Sequence, residues 1–318
     1  MSADVLSLAT QNATLWTSDL FDAETRAEAQ ALLEQGGDTL IEPFYKDLDF
    51  GTGGMRGIMG VGTNRINPYT LGLATQGLAA YAKSIFDGKP LKAAIAFDSR
   101  NNSKSFARKV AEVLSANGVH TFLFEDLRPT PELSFAVREL GCDFGIVLTA
   151  SHNPKEYNGY KAYWNDGGQL VPPHDKNVIT EVEAIQSLEE VKWNGGDALI
   201  EIIGAAMDAS YIAMLKTLSV YPEVIAAQSD LKIVYTPIHG TGITLVPKVL
   251  AAYGFKNVHV VEEQSTPDGN FPTVAYPNPE ESETMRIGLE KAKALNADIL
   301  LGTDPDADRV GIGVKNHK

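Results

Sequence analysis

Short apolar runs alternate along this chain with amphipathic stretches about twice as long. Residues 144–148, FGIVL, form an apolar run between Asp143 and Thr149, the pattern of a strand covered on both faces. Similar runs stand at 93–97 and 119–124, with helical patterns between them at 105–117, closed by Gly118, and at 132–140. A further helix is expected over 68–86, and an amphipathic one over 18–35, ended by Gly36-Gly37. Strand, helix, strand, helix, strand with short connections calls for a parallel sheet with right-handed crossovers. The same order returns later. Strands are expected at 233–235, 258–261 and 298–301, and helices at 243–253, with Pro247 in its first turns, and at 282–295, with Ser282 as N-cap. The join is expected near 191–210, with a loop at 193–196 and a helix at 205–218 that opens the second half. The expected class is therefore α/β, with two similar domains at 1–204 and 205–318. Each is a mostly parallel sheet flanked by helices, and the two face one another across a cleft. Ligands of open parallel sheets bind beyond the carboxyl ends of the strands. In each half, the third strand delivers the loop with the most reactive side chains.

The first such loop begins TASHNP (149–154). Pro154 disfavours helix at Asn153 and forces a turn, and Asn158-Gly159 is a second turn signal. Ser151 is thus held at the end of a buried strand, with His152 beside it and Lys161 ten residues on. Alone, this segment reads equally well as a turn in which Ser151 and Asn153 bond their own backbone. His152 can relay a proton or brace the loop. The second loop is DPDADR (304–309). In an extended segment Asp304, Asp306 and Asp308 point to one side and repel unless a cation lies among them. Hard oxygen donors suit Mg²⁺, and a solvated acidic turn is the competing reading. A third segment, FGTGGMRG (50–57), is dense in glycine. Its N–H groups can form a concavity for an anion, and Arg56 within it can contact phosphate bidentately. The alternative there is a tight hairpin with one exposed arginine. Lys161 and Arg309 could equally be surface cations. His239, in TPIHGTG, reads as structural before catalytic.

Together these stretches resemble the α-D-phosphohexomutase superfamily of phosphoglucomutases and phosphomannomutases. TASHNPKEYNGYK resembles its phosphoserine loop, DPDADR its metal loop and FGTGGMRG its N-terminal signature. The longer FGTGGMRGIMGVGTNRIN is most similar to the phosphoglucomutase branch that includes glucose-1,6-bisphosphate synthases. The resemblance implies that Ser151 carries a phosphate and that Ser151, Asp304, Asp306 and Asp308 hold one Mg²⁺. It makes Arg56 a phosphate contact and places Lys161 and Arg309 near the transferring group. A phosphoserine against three aspartates is repelled unless a divalent ion turns the repulsion into coordination. The implied reaction interconverts hexose 1-phosphate and 6-phosphate through a bisphosphate intermediate, with glucose 1,6-bisphosphate as primer. Phosphomannomutase, bisphosphate synthase and a non-catalytic sugar-phosphate-binding fragment are the alternatives. Family members carry four domains, and the GEExSG-like and RxSGTEP-like loops of the third and fourth do not occur here. An N-terminal fragment, poorly active alone, is therefore expected.

Composition narrows the partners. A chain of 318 residues allows two or three domains. A net charge of -14 argues against a nucleic-acid partner but not against a small anionic substrate held by local positive charge. There is no run of 18 apolar residues and no signal-peptide pattern. The single cysteine, Cys142, cannot form an internal disulfide and reads as a buried thiol in a reducing compartment. A cytoplasmic protein is expected, with no membrane partner. A serine-hydrolase reading lacks a G-x-S-x-G elbow, and an aspartyl-phosphatase reading leaves TASHNP unexplained.

Overall fold

The computed structural model describes residues 3–316. Three helices, α1 (Ala3–Leu15), α2 (Ala23–Gln35) and α3 (Gly37–Phe44), come first. They enclose a small core of their own, with Trp16, Phe21 and Phe44 in ring contact about the indole of Trp16. Helix α2 starts five residues later than the expected position 18. Asp22 is its cap, accepting from Thr25 N–H at 2.9 Å, while Ser18 lies in the preceding turn.

The first sheet has six strands: β1 (Gly54–Ile58), β2 (Lys92–Phe97), β3 (His120–Phe124), β4 (Phe144–Leu148), β5 (Tyr157–Trp164) and β6 (Ile200–Ile203). Their spatial order is β1-β5-β4-β2-β3-β6. The segment β4-β2-β3-β6 is parallel, and β5 and β1 are added antiparallel at one side. Helices α4 (Pro68–Ile85), α5 (Ser103–Ala116) and α7 (His174–Glu183) cover one face. Helix α6 (Thr130–Glu139) and part of α8 (Ala205–Thr217) cover the other. Alternate residues of β2 feed the two cores, Ala93, Ile95 and Phe97 on one side and Ala94 and Ala96 on the other. That double covering is why this strand reads as a continuous apolar run. Asn67 caps α4 through a reciprocal capping box, with Pro68 at the first helical position.

Strand β5 corrects an expectation. Asn158-Gly159 lies inside a strand, not in a turn. Asn158 is buried and donates to Asn101 O at 3.1 Å and Ser103 Oγ at 2.9 Å. A Cβ on Gly159 would stand 2.6 Å from Thr149 O and 2.7 Å from Met55 O, so only glycine lets the neighbouring backbones approach there. The glycine-dense stretch likewise contains β1, paired in register with the distant β5, and opens with a tight turn in which Gly51 and Gly54 exchange N–H···O bonds of 2.8 and 3.0 Å.

The second sheet has four strands: β7 (Lys232–Thr236), β8 (Asn257–Val260), β9 (Ile299–Thr303) and β10 (Val310–Val314), in the order β10-β9-β7-β8. The first three are parallel, and β10 returns antiparallel to β9. Helices α9 (Pro222–Ala227), α10 (Val246–Tyr253) and α11 (Arg286–Leu295) accompany them. The helix expected at 243–253 is split into a 3-10 turn at Thr241–Thr244 and α10, with Pro247 in its first turn. Helix α11 begins at Arg286, and Ser282 does not cap it. Thr284 Oγ1 instead donates to Tyr276 O at 2.7 Å, which draws 282–285 into the preceding loop. The architecture is thus the mixed α/β arrangement of two helix-flanked, mostly parallel sheets that the hydrophobic pattern foretold.

Candidate active site

Three loops leave the carboxyl ends of adjacent strands in the first sheet: 98–102 after β2, 125–129 after β3 and 149–156 after β4. One loop, 304–309 after β9, leaves the second sheet and meets them. Ser151 Oγ donates to Asp304 Oδ2 at 2.8 Å. Thr130, at the start of α6, donates its hydroxyl to Asp306 Oδ2 at 2.8 Å and its N–H to Asp306 O at 2.9 Å. Lys161 projects from mid-β5, where its Cα faces Val147, and its Nζ lies 2.6 Å from Asp306 Oδ2 and 2.8 Å from Asp308 Oδ2. Ser151, Lys161 and the three aspartates therefore lie in one crevice.

The aspartates converge for a different reason from the one the spacing suggested. Residues 304–309 form a tight turn between antiparallel β9 and β10, not an extended segment. Ala307 N–H donates to Asp304 O at 3.0 Å, Ala307 has φ 54°, and Arg309 N–H donates to Asp304 Oδ1 at 3.0 Å. One oxygen from each carboxylate lies within 4.8 Å of the others.

Charge crowding has visible effects. Burial, then Asp306 and Asp308, push the Asp304 carboxyl up to about 8. Burial opposes ionisation of Asp306 as well, but Lys161 outweighs it and holds that carboxyl below its ordinary range. For Lys161 burial opposes the ammonium, and the attraction of Asp306 and Asp308 raises its pKa nonetheless. Asp306 Oδ1 is buried with no hydrogen-bond partner among the described residues. An orphaned anionic oxygen beside two other carboxylates and a serine hydroxyl is a hard, all-oxygen donor set, and it fits a metal of the Mg²⁺ type.

The other expected residues ring this centre. His152 is half-buried, its Nδ1 3.2 Å from Ser151 Oγ. Burial, then Arg309 and Arg56, keep it below the ordinary histidine range. Arg56, on β1, is exposed and donates to Asn153 Oδ1 at 2.9 Å. Arg309 donates from Nη1 to Glu280 Oε1 at 3.2 Å. His239 is buried, with Nδ1 2.9 Å from Thr266 O and Nε2 2.9 Å from Thr273 Oγ1, so both nitrogens are committed to loop structure.

Sequence reasoning missed the supports. Asp98 accepts from Thr149 Oγ1 at 2.7 Å and Ser103 Oγ at 2.8 Å, and Thr149 Oγ1 in turn accepts from Ser151 N–H at 2.8 Å. Asp98 and Thr130 both follow strands at the same sheet edge as Ser151, which was the available signal.

The strand-end loops of two α/β units thus bring one serine and three carboxylates together with a lysine from mid-β5. Residues 47–189 match α/β/α domain I of phosphoglucomutase/phosphomannomutase, and residues 209–317 match α/β/α domain II. The chain belongs to the phosphoglucomutase/phosphomannomutase family. It is 35% identical over 297 residues to a phosphoglucomutase of Staphylococcus saprophyticus, covering 88% of this chain and 53% of that one. It is 35% identical over 303 residues to human phosphopentomutase, covering 91% of this chain and 49% of that one. A solved Thermus thermophilus protein superposes with a TM-score of 0.73 at 25% identity, over 85% of this chain and 57% of that one. The chain spans about half the length of the curated relatives it matches. Among the described residues, no helix is long and apolar enough to cross a membrane.

Proposed function

We propose that this chain carries the phosphoryl-transfer half of a phosphoglucomutase-type sugar-phosphate mutase. The observation that carries the reading is Ser151 Oγ at 2.8 Å from Asp304 Oδ2, inside a set of three converging carboxylates. Ser151 is the residue that bears the phosphoryl group and passes it to a sugar hydroxyl. Asp304, Asp306, Asp308 and the Ser151 oxygen would hold one Mg²⁺, which withdraws charge from the phosphoryl group and favours attack. Lys161 stays protonated and balances the carboxylates from the β5 side. His152, kept neutral, can accept a proton next to Ser151 Oγ. Arg56 and Arg309 flank the opening and can contact sugar phosphate.

The substrate is a hexose phosphate, with glucose 1,6-bisphosphate as the primer that phosphorylates Ser151. A pentose phosphate is a second reading, favoured by the 35% identity to human phosphopentomutase. Remote binding energy normally positions the reacting group. This chain spans half of its relatives, so turnover by the chain alone is expected to be poor. We keep the division at residues 204 and 205. Its support is that β6 ends at Ile203 in the first sheet and that the family matches stop at 189 and resume at 209.

Intact-mass measurement after incubation with glucose 1,6-bisphosphate and Mg²⁺ tests the reading. The wild-type chain should gain one phosphoryl group and Ser151→Ala none. Equal gain by both, or none by either, refutes it.

A further inference from the structure

A buried cation below the Ser151 loop has no part in the reaction just proposed. Arg100 follows β2 and is 3% exposed. Its guanidinium holds three carbonyls of the 149–156 loop and a fourth at the first residue of β5. Nη2 donates to Ser151 O at 2.6 Å and Asn153 O at 2.5 Å, and Nη1 donates to Pro154 O at 2.7 Å and Tyr157 O at 3.0 Å. The remaining donor, Nε, faces Asp98 Oδ2 at 3.3 Å. Only a planar fork with five N–H groups can meet so many acceptors from one buried point. An ammonium has three donors on one atom.

What that clamp holds is strained. Ser151 has φ 52°, a left-handed conformation that costs a residue bearing a Cβ on the order of 1 kcal/mol or more. Its carbonyl is fixed by Arg100 and its N–H by Thr149 Oγ1. Both ends of the residue are therefore tied to the strand-end framework.

A second, independent contact comes from the other sheet's unit. The loop between β8 and α11 crosses to the first unit and lies on Arg100. The Phe271 ring, 2% exposed, has its centroid 5.1 Å from the guanidinium carbon. Asn101 Nδ2 donates to Asn270 Oδ1 at 3.1 Å. At Gly269 a Cβ would stand 2.3 Å from Asn101 N and 2.8 Å from Arg100 C, so the backbone there is pressed against the first unit.

We propose that Arg100 is a positioning residue that sets the conformation of Ser151, and that the 269–271 strap makes this setting depend on docking of the second unit. The nucleophile is thereby held ready only where the carboxylate loop is also in place. The role in transfer rests on Ser151 being the phosphoryl carrier; the role in conformation does not.

The test uses the 318-residue chain and two variants, Arg100→Lys and Phe271→Leu. Hydrogen–deuterium exchange over 150–158 should rise by about tenfold or more in each, while amides of β2 and β4 keep their protection. The rate of Ser151 phosphorylation by glucose 1,6-bisphosphate should fall in parallel. Unchanged exchange over 150–158 overturns the proposal, as does a rise spread equally over β2 and β4, which a general loss of stability would give. If Arg100→Lys does not fold, Phe271→Leu decides by the same criteria. A wild-type chain that takes up no phosphate sinks the reading of Ser151 as carrier, and the exchange pattern still decides on Arg100.

Discussion

Thr149→Val isolates the support beneath the nucleophile, because the replacement keeps the side chain's shape and removes only its hydroxyl. Thr149 is 1% exposed. Its Oγ1 donates to Asp98 Oδ2 at 2.7 Å and accepts from Ser151 N–H at 2.8 Å. Valine loses the first bond and leaves the Ser151 N–H without its acceptor in a buried position. Each loss costs about 1–3 kcal/mol, so the variant should be less stable by about 4 kcal/mol. For a unit of this size that lowers the melting temperature by about 8–16 °C. Thr149→Ser keeps the hydroxyl and removes one methyl, for about 1 kcal/mol. Denaturant titration and thermal melting followed by circular dichroism measure both. Equal destabilisation by valine and serine, within about 0.5 kcal/mol, would show that the methyl and not the hydroxyl matters and would refute the reasoning.

Glu132, on α6, is fully buried, and neither carboxylate oxygen has a close hydrogen-bond partner among the described residues. Burial, then Asp208, push it up to about 8 against the pull of Arg128. Its folded pKa stands above the unfolded one, so the folded state binds the extra proton. Stability should therefore fall as pH rises from about 4.5 to about 8, with a slope approaching ~1.4 kcal/mol per pH unit from this group. Glu132→Gln should remove that component from a plot of denaturation midpoint against pH, and parallel curves for the two proteins would contradict it. Mg²⁺ should raise the melting temperature of the wild type, by about 2.7 kcal/mol of stability at a hundredfold excess over its dissociation constant. It should do little for Asp306→Asn, and an equal gain in both would place the ion elsewhere. The Cys142 thiol is buried and pushed up to about 12 by that burial, so iodoacetamide at about pH 8 should label it only after unfolding; labelling of the folded chain at the unfolded rate would contradict this.

The strand at 144–148 was legible to the residue, because a strand covered on both faces is a pure apolar run. Strand β5, YNGYKAYW, was not. Its polar members are buried against other loops, and its glycine makes room for a neighbouring strand, so the local signal points to a turn while packing dictates a strand. The aspartate cluster was legible as a set, yet its geometry was not, because the turn that gathers it depends on β10 returning along β9. Arg100 illustrates the remaining gap. In the sequence it is one arginine in a polar loop, and its four acceptors lie more than fifty residues further on. Nothing local marks a side chain whose partners are nearly all backbone.

Strands β4 and β5 are the two arms of one hairpin; Ser151 lies in the loop that joins them, and Lys161 lies in the second arm, opposite Val147. Their separation is therefore a matter of counting as much as of folding. A frame slip of one position in the ladder would swing the lysine through to the face where Tyr160 and Ala162 pack under α4 and α7, leaving the acids uncompensated. Insertions or deletions between 152 and 157 should accordingly be far less tolerated than substitutions there, since length, more than identity, keeps the base of the hairpin in step.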